Sequence, residues 1–375
     1  MRSDEWRGRT VADSGRSTTI RSNPATKMLL PPAPRPHAST AVAIDDGWRQ
    51  WIAENRLRNC TPESMLGTMT AAGIDPQASA SAIVRIERDP VFLAARRLQQ
   101  LQRKQESVMA NLQRLWASAP GYAVVEKREE PTREVFIERY VHGCRPLVIT
   151  GLARDWPAMQ RWSPADLKQR FGHIDVEIQT ERSADPKFEE NKLAHRRMAR
   201  LADFVDQVLA GGPTNDYYMT ANNEALRRPE FAPLLADIGR LPQVCDRAQL
   251  PAHASFWFGP AGTVTPLHHD TLMLFHTQVV GRKRWRFISP LQIAHLYNHN
   301  NVFSPIDLDH PDLQRYPDFA KAQVLEVVVE PGETVFLPLG WWHQVSALDV
   351  SLSFSYSNLG LPNQFSYQNP EITDW

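Results

Sequence analysis

The sequence predicts a mainly β protein, a β-sandwich or barrel flanked by helices, with a helical region before it. Strand-like runs separated by turn residues dominate from Ala254 to Asn358. Between about residue 120 and that block, short β runs alternate with helical segments. From Asp45 to Ser118, apolar residues recur at helical spacing. We therefore expect helices that precede the β block and pack outside it.

Composition places the chain among globular proteins, because 42% of its 375 residues are hydrophobic and 22% are charged. The zero formal net charge argues against a dedicated nucleic-acid or membrane-surface protein. Cys60, Cys144 and Cys245 form no CxxC pair, which disfavours a disulfide scaffold or a cysteine-based zinc site. Neither a membrane-spanning apolar run nor the apolar segment of a secretory signal is present. We expect a cytoplasmic protein without a membrane or nucleic-acid partner.

Residues 1–42 differ from the rest, since they are rich in Arg, Ser, Thr and Pro, with seven basic against three acidic residues. We expect a disordered tail. A transit peptide is the alternative, which the acidic residues disfavour, and Met28 is an alternative start. The predicted domains are this tail, a helical domain over 43–118 and a β-rich domain over 119–375.

The helical domain shows a clear start signal and an apolar stripe. Thr61 is a good N-cap, followed by Pro62 at the first helical position and Glu63 in the first turn. After Pro90, a stripe at helical spacing either forms the seam of a coiled-coil homodimer or packs on its own domain, and self-packing is the commoner outcome. We expect self-packing for its members, Leu98, Leu101, Val108, Leu112 and Leu115.

The β-rich domain begins with mixed elements. The segment "SPADLKQRFG" predicts a helix capped by Ser163, with Pro164 at its first position and Gly172 at its end. Three earlier segments predict strands, namely "CRPLVIT", "IDVEIQT" and "NDYYMTANN". The strands of the later block are "ASFWFG", "LMLFHTQVV", "KRWRFIS", "QVLEVVVE", "ETVFLP" and "SLSFSYS".

The segment "TPLHHD" contains candidate metal ligands. In a strand, His268 and Asp270 point to one face while His269 points away and is structural. Downstream, "FLPLGWWHQVSA" supplies His343. Two histidines and one carboxylate that leave open positions are typical of non-haem Fe(II) oxygenases. The alternative for His343 is a core histidine bonded to backbone groups beside Trp341 and Trp342, two residues that we expect to pack the core.

Strand parity adds a cation to this face. If Gly281 and Arg282 form a two-residue hairpin turn, residues on the two flanking strands pair across it. The paired residues then all lie on the same face as His268. Lys283 then points into the barrel interior, where a buried lysine needs an anion such as a dicarboxylate cosubstrate. The alternative is a surface lysine. The predicted pairs are Val280 with Lys283, Gln278 with Trp285 and His276 with Phe287.

These motifs resemble a known family. The run "FWFGPAGTVTPLHHD", followed by "QVVGRKRWRFISP", "VEPGETVFLPLGWWHQVSAL" and "SLSFSYSN", is similar to the JmjC or cupin-like family of Fe(II)- and 2-oxoglutarate-dependent dioxygenases. The likeness is to its protein-hydroxylase branch, which includes an asparaginyl hydroxylase, and it spans roughly residues 119–360. It implies a double-stranded β-helix barrel of the jelly-roll or cupin type, flanked by helices.

The resemblance also implies roles for individual residues. Lys283 and Thr265 correspond to residues that hold the distal carboxylate of 2-oxoglutarate, and Tyr218, or alternatively Tyr217, to a tyrosine that reaches it. Ser355 and His276 differ from the asparagine and the aromatic residue found there, and Leu274 replaces another asparagine. Both Ser355 and His276 are candidate cosubstrate contacts. The implied iron ligands and catalytic residues are His268, Asp270 and His343.

The implied activity is hydroxylation of an unactivated C–H bond. It depends on bound Fe(II), consumes 2-oxoglutarate and O2, and releases succinate and CO2. A side chain of a peptide or protein is the expected substrate. The alternatives are an N-methyl-lysine demethylase, a hydroxylase of a small molecule or peptide natural product, and a non-catalytic metal-binding module. The insert over 298–319 is expected to form a loop near the iron, with His299 and His310 solvated.

Overall fold

The structure is a computed structural model that describes residues 43–365. The tail predicted over residues 1–42 lies outside the described residues. The contacts within the chain divide it into two compact units, and the boundary falls between Lys104 and Gln105. This boundary lies inside one helix, Pro90–Ala117, which we predicted to belong wholly to the helical domain. Among the described helices, none is both long and apolar enough to span a bilayer.

Eleven α-helices occur in the described residues, together with one π-helix, Ile137–His142. The α-helices are α1 (Asp46–Leu57), α2 (Pro62–Ala71), α3 (Pro76–Arg88), α4 (Pro90–Ala117), α5 (Arg133–Phe136), α6 (Ala158–Arg161), α7 (Pro164–Phe171), α8 (Lys192–His195), α9 (Leu201–Ala210), α10 (Ala232–Ala236) and α11 (Leu250–His253). Short 3₁₀ helices are Arg182–Ala184, Ala221–Asn223, Ala225–Arg227, Pro229–Phe231, Arg247–Gln249, Pro290–His295 and Pro317–Lys321.

Twelve strands occur in the same part of the chain and confirm the mainly β fold. They are β1 (Glu126–Glu129), β2 (Leu147–Thr150), β3 (Asp175–Gln179), β4 (Arg196–Arg200), β5 (Ala254–Gly259), β6 (Val264–His268), β7 (Leu274–Val280), β8 (Lys283–Ile288), β9 (Leu325–Val329), β10 (Thr334–Leu337), β11 (Trp342–Ala347) and β12 (Ser351–Tyr356).

The N-terminal unit contains α1, α2 and α3, which bury a small core of their own. Trp48, Trp51 and Ile52 of α1 contact Met65 and its neighbours there. Thr61 accepts a hydrogen bond from the backbone N–H of Ser64, with Pro62 at the first helical position, as the start signal predicts.

The apolar stripe of α4 does not pack on its own domain, so that expectation is wrong. Its residues are 43–69% exposed. The helix contacts its own chain through a different face, where Phe92 is buried and Gln99 donates to the carbonyl of Leu57. The stripe members are Leu98, Leu101, Val108, Leu112 and Leu115.

Two sheets form the jelly-roll. The larger has the strand order β1-β2-β10-β7-β12-β5 and the smaller β6-β11-β8-β9, and a separate ribbon joins β3 to β4. Every pairing is antiparallel except that of β1 with β2. A core of inward-facing residues fills part of the space between the two sheets, with Val148 and Val335 from the larger and Trp285, Phe287 and Val345 from the smaller.

The predicted hairpin of β7 and β8 does not form. His276 of β7 lies opposite Val335 and Ser355 in the larger sheet, whereas Phe287 of β8 lies opposite His343 and Leu325 in the smaller. The chain crosses from one sheet to the other at Gly281, whose φ of 71° suits glycine. Lys283 still points inward, because the inner faces of both sheets look toward the same interior.

Helices and an insert cover the two outer faces. Phe275 and Phe354 of the larger sheet share a core with Leu167 of α7 and Phe204 of α9. On the smaller sheet, Leu267, Ile288 and Trp342 share a core with Leu296, which precedes the insert, and with Ile306 and Phe319 of the insert. The helix predicted over "SPADLKQRFG" is α7, capped by Ser163 as expected.

One predicted strand is wrong. The segment "NDYYMTANN" makes only two isolated bridges, Tyr218 with Gln179 and Met219 with Phe258, and then turns into a 3₁₀ helix. The segment therefore bridges β3 and β5 instead of extending a sheet.

Asp237 links the helical cover together. Its carboxylate is 1% exposed and accepts hydrogen bonds from Arg161 of α6, Arg170 of α7 and the indole of Trp162. Burial alone would raise the pKa of Asp237, but these hydrogen bonds outweigh burial and lower it.

Replacing Asp237 with Ala is expected to destabilise the protein by about 3 kcal/mol, because the indole N–H of Trp162 loses its acceptor and Arg161 and Arg170 each lose an ion pair. The control is Asp206→Ala, which removes an exposed ion pair with Lys168 and should cost less than about 1 kcal/mol. Urea unfolding monitored by tryptophan fluorescence gives both values. Because the folded pKa of Asp237 is depressed, its contribution is present above about pH 4 and is lost as the pH falls through the folded pKa. Equal losses for both variants would contradict this role.

Candidate metal centre and adjoining pocket

Two strands of the smaller sheet bring the three predicted ligands together. His268 ends β6, Asp270 follows two residues later, and His343 lies opposite His268 on β11. One nitrogen or carboxylate oxygen of each lies within 4.8 Å of the others. The nearest carboxylate oxygens of Asp270 stand 3.9 Å from the Nε2 atoms of His268 and His343. The sequence placed Asp270 inside the strand, but it lies just past its end.

Backbone carbonyls orient both imidazoles for metal binding. Nδ1 of His268 donates to the carbonyl of Pro266 at 2.8 Å, and Nδ1 of His343 to that of Trp341 at 3.0 Å. A carbonyl only accepts, so each Nδ1 carries the hydrogen and each Nε2 keeps its lone pair. Burial, reinforced by the neighbouring His268, lowers the pKa of His343 well below its usual value and keeps it neutral. This donor set fits a divalent metal held on one face.

A β-bulge brings Thr265 to the same side as His268. On β11, His343 and Val345 are two residues apart, yet their partners on β6, His268 and Thr265, are three apart. Pro266 lies within this step, and it has no N–H to donate to the ladder. Simple alternation would place Thr265 on the opposite face, but both residues line the pocket.

Lys283 lies deeper in the interior, where it is 2% exposed. It is opposite Ala347 on β11, four residues beyond His343, so the two backbone positions are roughly 13 Å apart along the strand. Among the described residues, no carboxylate forms an ion pair with Lys283. Burial lowers the pKa of Lys283 to about 7. The pocket thus ends in a cationic group that lacks an anion.

Two hydroxyl groups hold the ammonium of Lys283. It donates to the phenol oxygen of Tyr218 at 3.1 Å and to the hydroxyl of Ser353 at 2.8 Å. Tyr217, the alternative to Tyr218, instead donates to the carbonyl of Gln207. Sequence reasoning missed Ser353, although its position two residues before Ser355 on β12 puts both on one strand face.

His276 and Ser355 lie opposite each other on β7 and β12, and both line the pocket. The hydroxyl of Ser355 accepts a hydrogen bond from the indole N–H of Trp257 at 2.8 Å. Burial, together with Lys283, lowers the pKa of His276 well below its usual value. Its Nε2 atom is buried and has no hydrogen-bond partner among the described residues. A polar ligand atom would satisfy it.

Two cavities meet at Phe303 and Glu189. The inner one, of about 430 Å³, contains the three metal-ligand candidates, Lys283 and Leu274 on its walls. The outer one, of about 860 Å³, lies between residues 186–190 and the insert, as expected for a loop near the metal.

Hydrogen bonds hold the insert in place. Glu190 accepts from His299 and Asn300, so His299 is paired instead of solvated as we expected. Asp309 pairs with Arg284 and Arg286 of β8, on its outer face. His310 is exposed, in agreement with the sequence.

The remaining aromatic and histidine predictions are confirmed in position. His269 turns away from the metal-ligand candidates and packs edge-on against Trp342, with 4.7 Å between the two ring centroids. Trp341 and Trp342 are each 1% exposed. Trp341 packs between the sheets, whereas Trp342 packs beneath the insert.

Comparisons with known proteins agree with this architecture. Residues 132–358 match the cupin-like domain family. The chain is 29% identical to Lysine-specific demethylase 8 of Xenopus tropicalis, over 62% of this chain and 52% of that protein. It is 30% identical to Lysine-specific demethylase JMJ30 of Arabidopsis thaliana, over 62% and 54%. It is 27% identical to tRNA wybutosine-synthesizing protein 5 of Gallus gallus, over 62% and 79%. The chain therefore spans about half the length of the two demethylases.

The metal assignment predicts that Asp270→Ala weakens Mn(II) or Fe(II) binding at least about 100-fold, since the only carboxylate of the cluster is lost. Isothermal titration of the metal into the metal-free protein measures this.

The matched control is His269→Phe, which keeps a ring against Trp342 and lies next to Asp270 but outside the cluster. Its metal affinity should equal that of the unchanged protein. Undiminished affinity in Asp270→Ala would refute the assignment.

Proposed function

The chain belongs to the cupin-like domain family, and from this premise we propose that it is an Fe(II)- and 2-oxoglutarate-dependent oxygenase. The observation that carries the proposal is the pocket itself. A His-Asp-His cluster stands at its mouth, and a buried ammonium without a carboxylate partner stands at its inner end. A dicarboxylate that contacts the metal through one end and Lys283 through the other satisfies both.

Different residues of the pocket would bind the metal and the cosubstrate. His268, Asp270 and His343 would hold iron on one face and leave its other positions open. When bound, iron supplies the activation of O2, which couples decarboxylation of 2-oxoglutarate to succinate and CO2 with insertion of one oxygen atom into a C–H bond.

Lys283, Tyr218 and Ser353 form one hydrogen-bonded group at the inner end, where the distal carboxylate would bind. Thr265 adds a hydroxyl on the pocket wall. The unpaired Nε2 of His276 and the hydroxyl of Ser355 stand on the opposite sheet as further polar contacts. Trp257 and Trp285 line the pocket and pack against His276, and their rings would limit the water that reaches a bound cosubstrate.

We infer that the substrate is a side chain of a peptide or protein. The outer cavity is twice the volume of the inner one and opens beside Phe303. In this proposal an extended peptide occupies the outer cavity while one of its side chains enters toward the metal cluster. Two of the matched relatives are named lysine-specific demethylases, and lysine is an amino acid, which is consistent with this class.

Turnover tests the proposal directly. With Fe(II), ascorbate, 2-oxoglutarate and a peptide pool, the protein should release succinate, and mass spectrometry should find a peptide that has gained one oxygen atom. Loss of a methyl group with release of formaldehyde would indicate demethylation instead. Release that depends on a small molecule alone would overturn the peptide assignment.

The controls for turnover are His268→Ala, which removes a metal ligand, and His269→Phe, which leaves the cluster intact. Succinate release should vanish in the first and persist in the second. Release no greater than that of His268→Ala with any peptide pool would favour a non-catalytic binding module.

The pKa of Lys283 predicts a pH dependence of cosubstrate binding. Since the pKa of the free pocket lysine is about 7 and the carboxylate binds its charged form, affinity for 2-oxoglutarate should be flat below pH 7. Above it, affinity should fall by about tenfold per pH unit. Calorimetry on the Mn(II)-saturated protein, with metal occupancy checked at each pH, measures this.

Lys283→Met supplies the comparison, because methionine has similar length and no charge. It should bind 2-oxoglutarate about 10- to 100-fold more weakly below pH 7, as expected for the loss of a charge-assisted hydrogen bond. Its affinity should not change across pH 7. The same pH slope in both proteins would place the titrating group elsewhere.

A further inference from the structure

Helix α4 carries a four-heptad repeat that the oxygenase site does not use. Positions spaced alternately three and four residues apart run along the helix from Val91 to Leu115. Seven of the eight are apolar, and the exception is Gln105. We call these residues the α4 seam, with a positions Val91, Leu98, Gln105 and Leu112 and d positions Ala94, Leu101, Val108 and Leu115.

Every residue of the α4 seam is exposed in the single chain. Its six large apolar side chains range from 43% exposure at Leu112 to 77% at Val91. A continuous row of this length is unusual on a monomer surface and marks an interaction face.

A different face of α4 contacts the protein's own chain. Phe92 is buried, Gln99 donates to the carbonyl of Leu57, and Gln113 exchanges hydrogen bonds with the hydroxyl of Tyr122. Each of these three residues comes directly after an a position, so all three occupy heptad position b. The α4 seam is therefore free on the helix while its neighbouring face is satisfied.

We propose that a second copy of this chain covers the α4 seam, forming a parallel, in-register two-stranded coiled coil. The polar residue Gln105, at an a position of the seam, indicates that the partner is a second copy of the same helix. In this arrangement equivalent a positions meet, so each Gln105 faces its copy, and the two amides can donate to and accept from each other. Against an unrelated apolar helix, or in an antiparallel pair where Gln105 meets Leu101, the amide loses this partner.

The charges beside the seam favour the same orientation. The flanking g positions include Arg97 and Lys104, whereas the e positions include Gln102 and Met109. A parallel pair places each g position beside an e position of the copy, so no like charges meet. An antiparallel pair aligned over the whole seam brings Lys104 beside Lys104 of the copy, and the two would repel.

The length of the seam is sufficient for a dimer. A helix of 28 residues is about 42 Å long, and a pair packed along that length buries on the order of 1,000 Å². A biological interface is expected to bury at least about 1,000 Å².

Light scattering coupled to size-exclusion chromatography of the full chain tests the proposal. The unchanged protein should have twice the 42.6 kDa mass of one chain. Leu101→Glu combined with Leu112→Glu should halve the mass, because carboxylates enter the seam. A control with the same charge change outside the seam, Gln100→Glu with Ala110→Glu, should keep the doubled mass. A monomeric unchanged protein would overturn the proposal and leave the seam to a different partner.

Cross-linking tests the orientation. In a parallel pair, oxidised Leu101→Cys should form a disulfide-linked dimer, because the two d positions meet. Ala110→Cys, which points away from the seam, and the unchanged protein with its own three cysteines report background cross-linking. A doubled mass with no cross-link above background in Leu101→Cys would overturn the parallel arrangement.

Discussion

The pairing of β11 with its two neighbours is the constraint on which the site depends. On one side its register with β6 sets His343 beside His268, and on the other its register with β8 sets Ala347 beside Lys283. One central strand thus determines the separation between the metal cluster and the cationic end of the pocket. A slip of β11 by one residue would turn His343 and Ala347 out of the interior and separate His343 from His268.

The second constraint is electrostatic. Burying an ammonium without a carboxylate is costly, and the fold limits that cost through the hydroxyls of Tyr218 and Ser353 and the faces of Tyr218 and Trp257. These groups are neutral, so the charge remains available to a ligand. The burial that lowers the pKa of Lys283 also excludes the water that would weaken its attraction for a carboxylate. The proposed binding chemistry follows from this partial compensation.

Local rules account for much of what the sequence predicted. Thr61 and Ser163 cap their helices as expected, because capping depends on a few adjacent residues. Six of the eight strands in the β block were located to within about two residues, since alternation and turn residues are local signals. The other two, β6 and β11, were not among the predicted strands. The residue types already suggested that His343 belongs with His268 and Asp270, the motif resemblance implied the same set, and the structure places the three together.

What the sequence determined by itself was therefore most of the elements and the chemical types available to the site. Which strands pair was decided by the tertiary structure, since β7 and β8 are adjacent in the chain but lie in different sheets. It likewise placed Thr265 through a bulge, recruited Ser353 and left the α4 seam exposed. These outcomes depend on contacts between residues far apart in the chain, and a periodic pattern shows that a face is apolar without showing what covers it.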